Sequence, residues 1–395
     1  MQKEKVLLLI LAVVQFSHIV DFIIIMPLCA QLMEVFEITP QQFSFIVSIY
    51  ALAAFASGLL GASFIDRFDR KHVLFVAFIG FTAGTISCSM VSSYIPFLIA
   101  RGVTGAFGGI LSAMVLAVIG DAIPLERRGR ALGIVMTAFS VASVVGVPIA
   151  VYLAATFTWK TPFLVIGLLA GIIAIFVPFI FPSMRIHLEN GPVDRRPVEV
   201  FRQIFQDGNQ LKALLFSLIL MLGHFTIIPF IAPYMQMNIG FSDKEVSYIY
   251  LVGGILTVFF LPYFGKLADR IGHYPVFGIS SAFALLSILS ITHLPQTSLA
   301  LALCATSSFF VVASGRNVPA TTLVTSVVKP ASRGSFMSVR ASINEMAMAL
   351  SSLIAGMIVT KNPDGSLIHY NVVGYFAITM SLIAIWLGRQ LKSVS

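Results

Sequence analysis

Charge is what this sequence has least of. Only 11% of its 395 residues are Asp, Glu, Lys or Arg, against 58% hydrophobic, and the mean hydropathy is +0.95. A soluble domain carries about 25% charged residues, and this length would ordinarily make two or three such domains. There is too little charge to cover their surface. The scarcity excludes a disordered chain, a secreted disulfide scaffold and an ordinary cytosolic enzyme, and it implies lipid as the main solvent. Cysteine is almost absent. Cys29, Cys88 and Cys304 lie far apart in apolar runs, with neither a disulfide framework nor metal-ligand spacing, and are expected to be small buried hydrophobes. Also missing are a Ser-His-Asp set, a phosphate-binding glycine loop and an adenine-nucleotide motif. Neither an enzyme nor an ATP-driven pump is expected, and no cofactor or metal is implied.

What is present is one apolar run after another. A spanning helix needs about 20 mostly apolar residues, and twelve stretches qualify: Val6–Cys29, Phe43–Ile65, Val73–Val91, Ile95–Ile119, Ala131–Ala155, Pro162–Phe181, Leu211–Met237, Val246–Phe264, Pro275–Ile291, Leu299–Val328, Phe336–Val359 and Val372–Leu387. The first is too long for a cleaved signal and carries His18 and Asp21. The net charge of +8 is an orientation signal. With the N-terminus inside, only Lys160, Lys244 and Lys361 of the 25 cations fall in outer loops, Arg101, Arg316 and Arg340 fall in spans, and the other 19 lie on the inner side. Such a distribution argues against a nucleic-acid patch. The expected fold is an all-α membrane protein of twelve transmembrane helices in two six-helix bundles, with both termini cytoplasmic, in the cell (inner) membrane.

Residues 183–210 form the one long polar stretch and divide the spans six to six, giving an N-terminal bundle (1–182), a linker and a C-terminal bundle (211–395). Val198, Phe201 and Phe205 recur there at helical spacing, which fits a short helix lying on the membrane or a plain linker. The halves repeat. His18 and Pro27 correspond to His224 and Pro233 at an offset of 206. Thr39–Gln42 and Ser242–Glu245 both read as capping boxes, 203 apart. Asp66-Arg67 corresponds to Asp269-Arg270, also at 203, and Arg128-Gly129 to Arg333-Gly334 at 205. Two duplicated six-helix bundles imply a transporter with its site between the halves near the midplane.

The segment Gly265-Lys266-Leu267-Ala268-Asp269-Arg270-Ile271-Gly272 resembles the loop signature G-x-L-A-D-R-x-G of the major facilitator superfamily. The first-half copy keeps Asp66, Arg67, Arg70 and Lys71 but has Ala62 and Asp69 where the family has glycine. Arg101-Gly102-Val103-Thr104-Gly105 is similar to the family's R-x-x-Q-G, with Thr for Gln. Gly146-Val147-Pro148, followed by Trp159-Lys160 and Phe163, resembles the G-P element of proton-coupled drug and sugar efflux permeases without matching it. The resemblance implies alternating access, with Asp66, Arg67, Arg70, Lys71, Gly265, Asp269, Arg270 and Gly272 as a gate on the inner side. Gly146 and Pro148 would be a conformational element, or packing alone. It also implies a proton-transfer role for Arg101, the alternative being a tie to backbone carbonyls.

A charge at mid-bilayer costs at least about 2.5–3.5 kcal/mol, so the ionisable residues inside spans are the site candidates. Asp21 and Glu345 are the only deep carboxylates. Asp21, roughly 24 Å along the helix from Lys5, shares a face with His18 and with Gln15. A carboxylate in apolar surroundings with a histidine beside it is a reversible proton carrier, or else a structural polar pair. Glu345, roughly 18 Å past Arg333, is a second proton site or binds a cation. Arg340 does not face it and is expected to reach the inner surface. Arg316, also deep, would neutralise Asp21 or Glu345 or bind an anion. His224 lacks an acidic mate at Ile227, so the halves are asymmetric; it lines the substrate path or packs. Asn344 joins Gln15, His224 and Arg316 as a cavity candidate. Gly105 and Gly109 form a small-residue face for close helix approach.

The function expected from these residues is export of a small drug-like or sugar-like molecule in exchange for protons by a monomer. The alternatives are an uncoupled facilitator, a proton symporter of the same fold, or a lipid or lysolipid translocator.

Overall fold

The computed structural model describes residues 2–64, 68–124, 127, 131, 133–135, 137–138, 141–181, 202, 204–329 and 333–394. Among these, eleven helices are long and apolar enough to cross a membrane, and a shorter apolar helix runs over Ala142–Thr156. The N-terminal elements are α1 (Gln2–Ile24), α2 (Cys29–Val35), α3 (Pro40–Phe64), α4 (Arg70–Met90), α5 (Tyr94–Ala122), a π turn (Ala142–Gly146), α6 (Val147–Thr156) and α7 (Thr161–Ile180). The C-terminal elements are α8 (Gly208–Phe225), α9 (Ile228–Tyr234), a second π turn (Met235–Ile239), α10 (Asp243–Ile271), α11 (His273–Thr292), α12 (Leu299–Ser326), α13 (Arg333–Ile358), the strands β1 (Thr360–Lys361) and β2 (Leu367–Ile368), and α14 (Tyr370–Arg389).

These segments are helical because they are apolar nearly all round, and a helix in hydrocarbon bonds its own backbone. Their outward faces are greasy too: Phe179, Phe259, Leu286 and Trp386 are all exposed. Cys304 joins them. Cys29 and Cys88 are buried as expected, but Cys304 faces outward, which an apolar thiol tolerates where the solvent is lipid.

Both expected capping boxes form. Thr39 and Gln42 exchange bonds of 2.9 and 3.2 Å, and Ser242 and Glu245 exchange bonds of 2.9 and 3.4 Å. Asp207 caps α8 by accepting from the backbone N–H of Asn209 at 2.9 Å and of Gln210 at 3.2 Å, and from the Gln210 side chain at 2.8 Å. Partial burial pushes the Asp207 carboxyl up, but these three bonds outweigh it and hold it below the ordinary carboxylate range. A carboxyl depressed by folding stabilises the fold above its unfolded pKa, about 3.9 for Asp, and loses that contribution as pH falls through the lower folded value. Asp207→Ala is therefore expected to cost about 1 kcal/mol at neutral pH. Thermal unfolding in detergent should show that cost shrinking toward zero in strong acid.

Spans one and seven are broken, and each break follows the repeat histidine. The first opens at Ile25–Leu28 ahead of α2. The second opens at Thr226-Ile227, set by Pro229 at the start of α9, whereas Pro233, the repeat mate of Pro27, is accommodated inside that helix. In span five the Val147 N–H bonds the Ala142 carbonyl, one residue further back than in an α-helix. The wider turn lies immediately before Pro148, which has no N–H to give.

Two expectations change. Residues 265–271, expected as a loop, are the last two turns of α10, because nothing interrupts the helix until Gly272. At Gly272 φ is +99°, a backbone that favours glycine. A short hairpin, β1 paired antiparallel with β2, joins α13 to α14, and the Asn238 side chain bonds both the carbonyl (2.8 Å) and the N–H (3.0 Å) of Leu367. The expected surface helix around Val198 and Phe201 lies outside the described residues.

The chain's two ends lie at one end of the molecule, the terminal end. Gly58 near the close of α3 lies by Ser342 near the start of α13, while Ser44 lies by Gly356. At the opposite, far end the halves share one continuous core, in which Phe43, Ile46 and Trp159 join Phe230, Ile249 and Tyr370. At the terminal end they have separate cores, one around Leu11, Phe78 and Val118 and the other around Leu214, Phe277 and Val324. The seams between the halves obey the repeat, since α3 packs on α13 and α10 packs on the first π turn and α6. In the numbering of the spans, two meets eleven and eight meets five.

Candidate functional site

The N-terminal half holds a fully buried ion pair. Arg101 Nη1 on α5 lies 2.7 Å from Asp21 Oδ2 on α1, and both side chains are fully buried. Thr85 donates to Asp21 Oδ1 at 3.1 Å, and Arg101 also donates to the Asp21 carbonyl at 3.2 Å. The guanidinium stacks 4.3 Å from the centroid of the Tyr50 ring, with Phe163 at 5.9 Å. Such a cation–π contact contributes up to about 2 kcal/mol when desolvated. Close helix approach creates this geometry. A Cβ on Gly105 would sit on the Tyr50 carbonyl oxygen and within 2.7 Å of its Cα, and one on Gly109 would collide with Ala54 in the same way. The expected small-residue face thus presses α5 against α3 and places Tyr50 over Arg101.

Asp21 has a different partner from the two expected. His18 makes no hydrogen bond from either ring nitrogen. Its ring lies against Tyr50 (5.9 Å) and Phe81 (6.2 Å) and the bare backbone of Gly108. Sharing a helix face with Asp21 does not bring the imidazole to the carboxylate, because Arg101 and Thr85 take its oxygens first. Gln15 is half-buried on the same stripe. The Tyr50 hydroxyl is buried without a partner, and its helix α3 packs on α13, which carries Glu345.

In the C-terminal half Arg316 is 1% exposed and donates from Nη1 to Ser381 Oγ at 3.1 Å. It pairs with neither Asp21 nor Glu345, and its Nε has no partner. His224 stacks on Phe309 with ring centroids 5.5 Å apart, and its Nδ1 is also unpartnered. Glu345 is half-buried, and Asn344 beside it has a buried, unpartnered Oδ1. Arg340 does not extend to the surface. It is 7% exposed and donates to Ser217 (3.1 Å) and Thr321 (3.3 Å), neighbours that its helix position alone did not reveal.

Of the expected gate, Asp66 and Arg67 lie outside the described residues. Arg70 bonds Asp121 of its own half at 2.9 Å, and Lys71 is held by its backbone N–H to the Asp69 carboxylate, which caps α4 in place of the family glycine. Gly265 has open space around it, and Asp269 and Arg270 are exposed at the close of α10 with no partner among the described residues. Gly146 has its helix against Val20, and Pro148 is buried. A polar tie between the halves lies at the far end, where Asp243 accepts from Gln31 of the other half and from Gln236 of its own, each at 2.6 Å. Ser48 also donates across the seam to the Ala349 carbonyl at 2.9 Å. Sequence reasoning missed Tyr50, Thr85, Ser381 and the Gln31–Asp243 bond. Each is an ordinary polar residue whose partner lies on another helix, so no local pattern marks it.

A helical bundle that is apolar on its outside and buries ionisable groups within each half is the architecture of a multi-pass membrane protein. The chain belongs to the Major Facilitator Superfamily, whose sequence profile matches residues 11–315 and again 213–392. It is 23% identical over 380 residues to the "Uncharacterized MFS-type transporter YbcL" of Bacillus subtilis, covering 95% of this chain and 93% of that one. It is 24% identical over 241 residues to a "Probable sugar efflux transporter" of Mannheimia succiniciproducens, covering 61% of this chain and 59% of the relative. Several other curated relatives are likewise matched over about three fifths of their length or a little less, 55–64%. Among solved structures, a D-xylose-proton symporter superposes with TM-score 0.79 at 16% identity over 96% of each chain. A bacterial homolog to the human lysosomal transporter Spinster superposes with TM-score 0.74 at 16% identity over 98% of this chain and 95% of that one.

Proposed function

We propose that this protein is a proton-coupled secondary transporter that exports a small organic molecule, drug-like or sugar-like, by alternating access. Twelve spans, with Ala142–Thr156 the end of the fifth, form two six-helix halves (1–182 and 211–395) joined by residues 183–210. Both termini are cytoplasmic, in the inner membrane of a bacterial cell, and the protein works as a monomer. On that orientation the far end is the outer side. The continuous core there and the separate cores at the terminal end support an inward-facing arrangement.

The observation that carries this reading is the fully buried Asp21–Arg101 pair. With Asp21 ionised the pair is neutral. With Asp21 protonated the pair carries one buried positive charge, and the arrangement that seals it becomes costly relative to one that admits water or another partner. Protonation thereby biases the two arrangements, while substrate binding between the halves biases them in competition. Each inward proton contributes about 2.3 kcal/mol per 100 mV of membrane potential. His18, Arg101 and Glu345 serve proton coupling with Asp21. Gln15, His224, Arg316 and Asn344 line the substrate path, and the Asp66-to-Lys71 and Gly265-to-Gly272 segments close the inner side in the outward-facing state.

The test uses proteoliposomes loaded with a mixed panel of sugars and drugs. An imposed proton gradient should drive at least one member uphill through the parent protein, and Asp21→Asn should only equilibrate it. Undiminished uphill transport by Asp21→Asn would overturn the assignment.

A further inference from the structure

The two halves treat their buried guanidiniums differently. Arg101 is matched by Asp21 at 2.7 Å. In the C-terminal half Arg316 and Arg340 are 1% and 7% exposed, and among the described residues neither has a carboxylate. Arg316 gives one bond to Ser381, and Arg340 bonds the hydroxyls of Ser217 and Thr321. A hydroxyl solvates a cation but does not neutralise it. Nor can arginine escape by losing its proton, as a buried lysine does. Glu345 is the one carboxylate at that depth in this half, and it makes no ion pair with either arginine.

The surroundings of Arg316 point toward a ligand. Its Nε is buried without a partner, as is the Oδ1 of the adjoining Asn317. His224 on α8 follows Gly223, which packs on the same Ser381 that Arg316 bonds, and its ring also leaves Nδ1 unpartnered. That ring stacks on Phe309 of α12 and meets Phe225 edge-on at 5.2 Å. An uncompensated guanidinium with open polar valences thus sits beside a pair of flat aromatic faces. Buried polar atoms in a folded chain are nearly always paired, and an ionisable group inside a membrane is retained for function more than for stability.

We infer that the transported molecule is a small organic anion whose carboxylate is held by Arg316 and His224, with its apolar or ring body against Phe309. The bound molecule supplies the counter-charge that the C-terminal half lacks. A planar carboxylate matches the guanidinium fork. This inference rests on the transport reading above and names its substrate class.

Thermal unfolding of the full chain in detergent tests it with benzoate, benzyl alcohol and benzylamine, and with glucuronate and glucose. At least one of the two acids should raise the midpoint, and none of the uncharged or cationic compounds should. Arg316→Gln should weaken the acid's effect by roughly thirtyfold or more, and Arg316→Lys, which keeps the charge, should retain part of it. Without ligand, Arg316→Gln should be as stable as the parent or more so, since a lone buried charge has been removed. Several results overturn the inference: no response to either acid, a response to a neutral or cationic compound alone, an unchanged response in Arg316→Gln, or an Arg316→Gln protein that fails to fold. Proton-driven, Asp21-dependent transport of an uncharged substrate would overturn it too while leaving the transport reading intact. Anion binding in a protein whose transport ignores the proton gradient would do the reverse.

Discussion

Asp21→Ala should destabilise the protein by about 3 kcal/mol, the low end of the 3–5 kcal/mol range for breaking a buried pair from one side. The loss leaves the Arg101 guanidinium fully buried without its carboxylate, and it cannot shed its charge. The figure falls at the low end because Arg101 keeps the Tyr50 ring at 4.3 Å and the Asp21 backbone carbonyl at 3.2 Å. The reverse change, Arg101→Leu, should cost less, since a lone Asp21 can take up a proton and become neutral while Thr85 still bonds it. The paired change Asp21→Leu with Arg101→Leu should recover most of the stability, because two well-packed apolar side chains replace an ion pair at little net cost. Thermal unfolding of the parent, Asp21→Leu, Arg101→Leu and the double variant gives the coupling directly. Additive losses would show that the two side chains do not act as a pair. The recovered double variant should nonetheless be unable to couple transport to protons, which separates folding from function at this site.

Gly105→Ala should be, with Gly109→Ala, among the most damaging single methyl groups in the N-terminal half. The added Cβ meets the carbonyl oxygen and Cα of Tyr50, which are backbone atoms and cannot rotate aside. The two helices α3 and α5 must separate, at about 1–3 kcal/mol for overpacking, and Tyr50 is drawn off Arg101 as they do. Gly102→Ala is the control. Its nearest neighbour would be Ile49 Cγ1 at 3.4 Å, an ordinary contact on the same helix face region, and it should be within about 0.5 kcal/mol of the parent. Unfolding midpoints should therefore fall in the order parent, Gly102→Ala, Gly105→Ala, and the proton dependence of transport should weaken only in the last. Equal midpoints for the two alanine variants would show that the close approach of the helices is not what holds the pair in place.

Much of the architecture was legible without coordinates because the bilayer imposes a length and a polarity on each segment. The short ninth run and the long tenth became helices over His273–Thr292 and Leu299–Ser326, close to where hydropathy placed them. The capping boxes were legible for a similar reason, since donor and acceptor are three residues apart and meet whenever the helix forms. Hydropathy failed where backbone geometry decides. It ended span eight at Phe264, although the helix runs on through charged residues to Gly272. It also did not foresee the hairpin after α13, whose turn is set by Gly365 at φ +91° and by Asp364 accepting from Ser366.

The polar site divides along the same line. Composition and periodicity singled out Asp21, Arg101, Arg316, Arg340 and Glu345, because a charge in hydrocarbon stands out against its neighbours whatever the fold. Which of them meet depends on side chains far apart in the chain. Asp21 and Arg101 are 80 residues apart, and Arg316 and Ser381 are 65 apart. Helix periodicity favoured His18 for Asp21, since it places residues on a face but says nothing of what a neighbouring helix brings to that face. The sequence by itself thus determined that the protein lives in lipid, is built twice over, and carries a handful of deep charges. Only the tertiary structure decided that one arginine is neutralised and two are not, because pairing is a property of helix packing and not of any single helix.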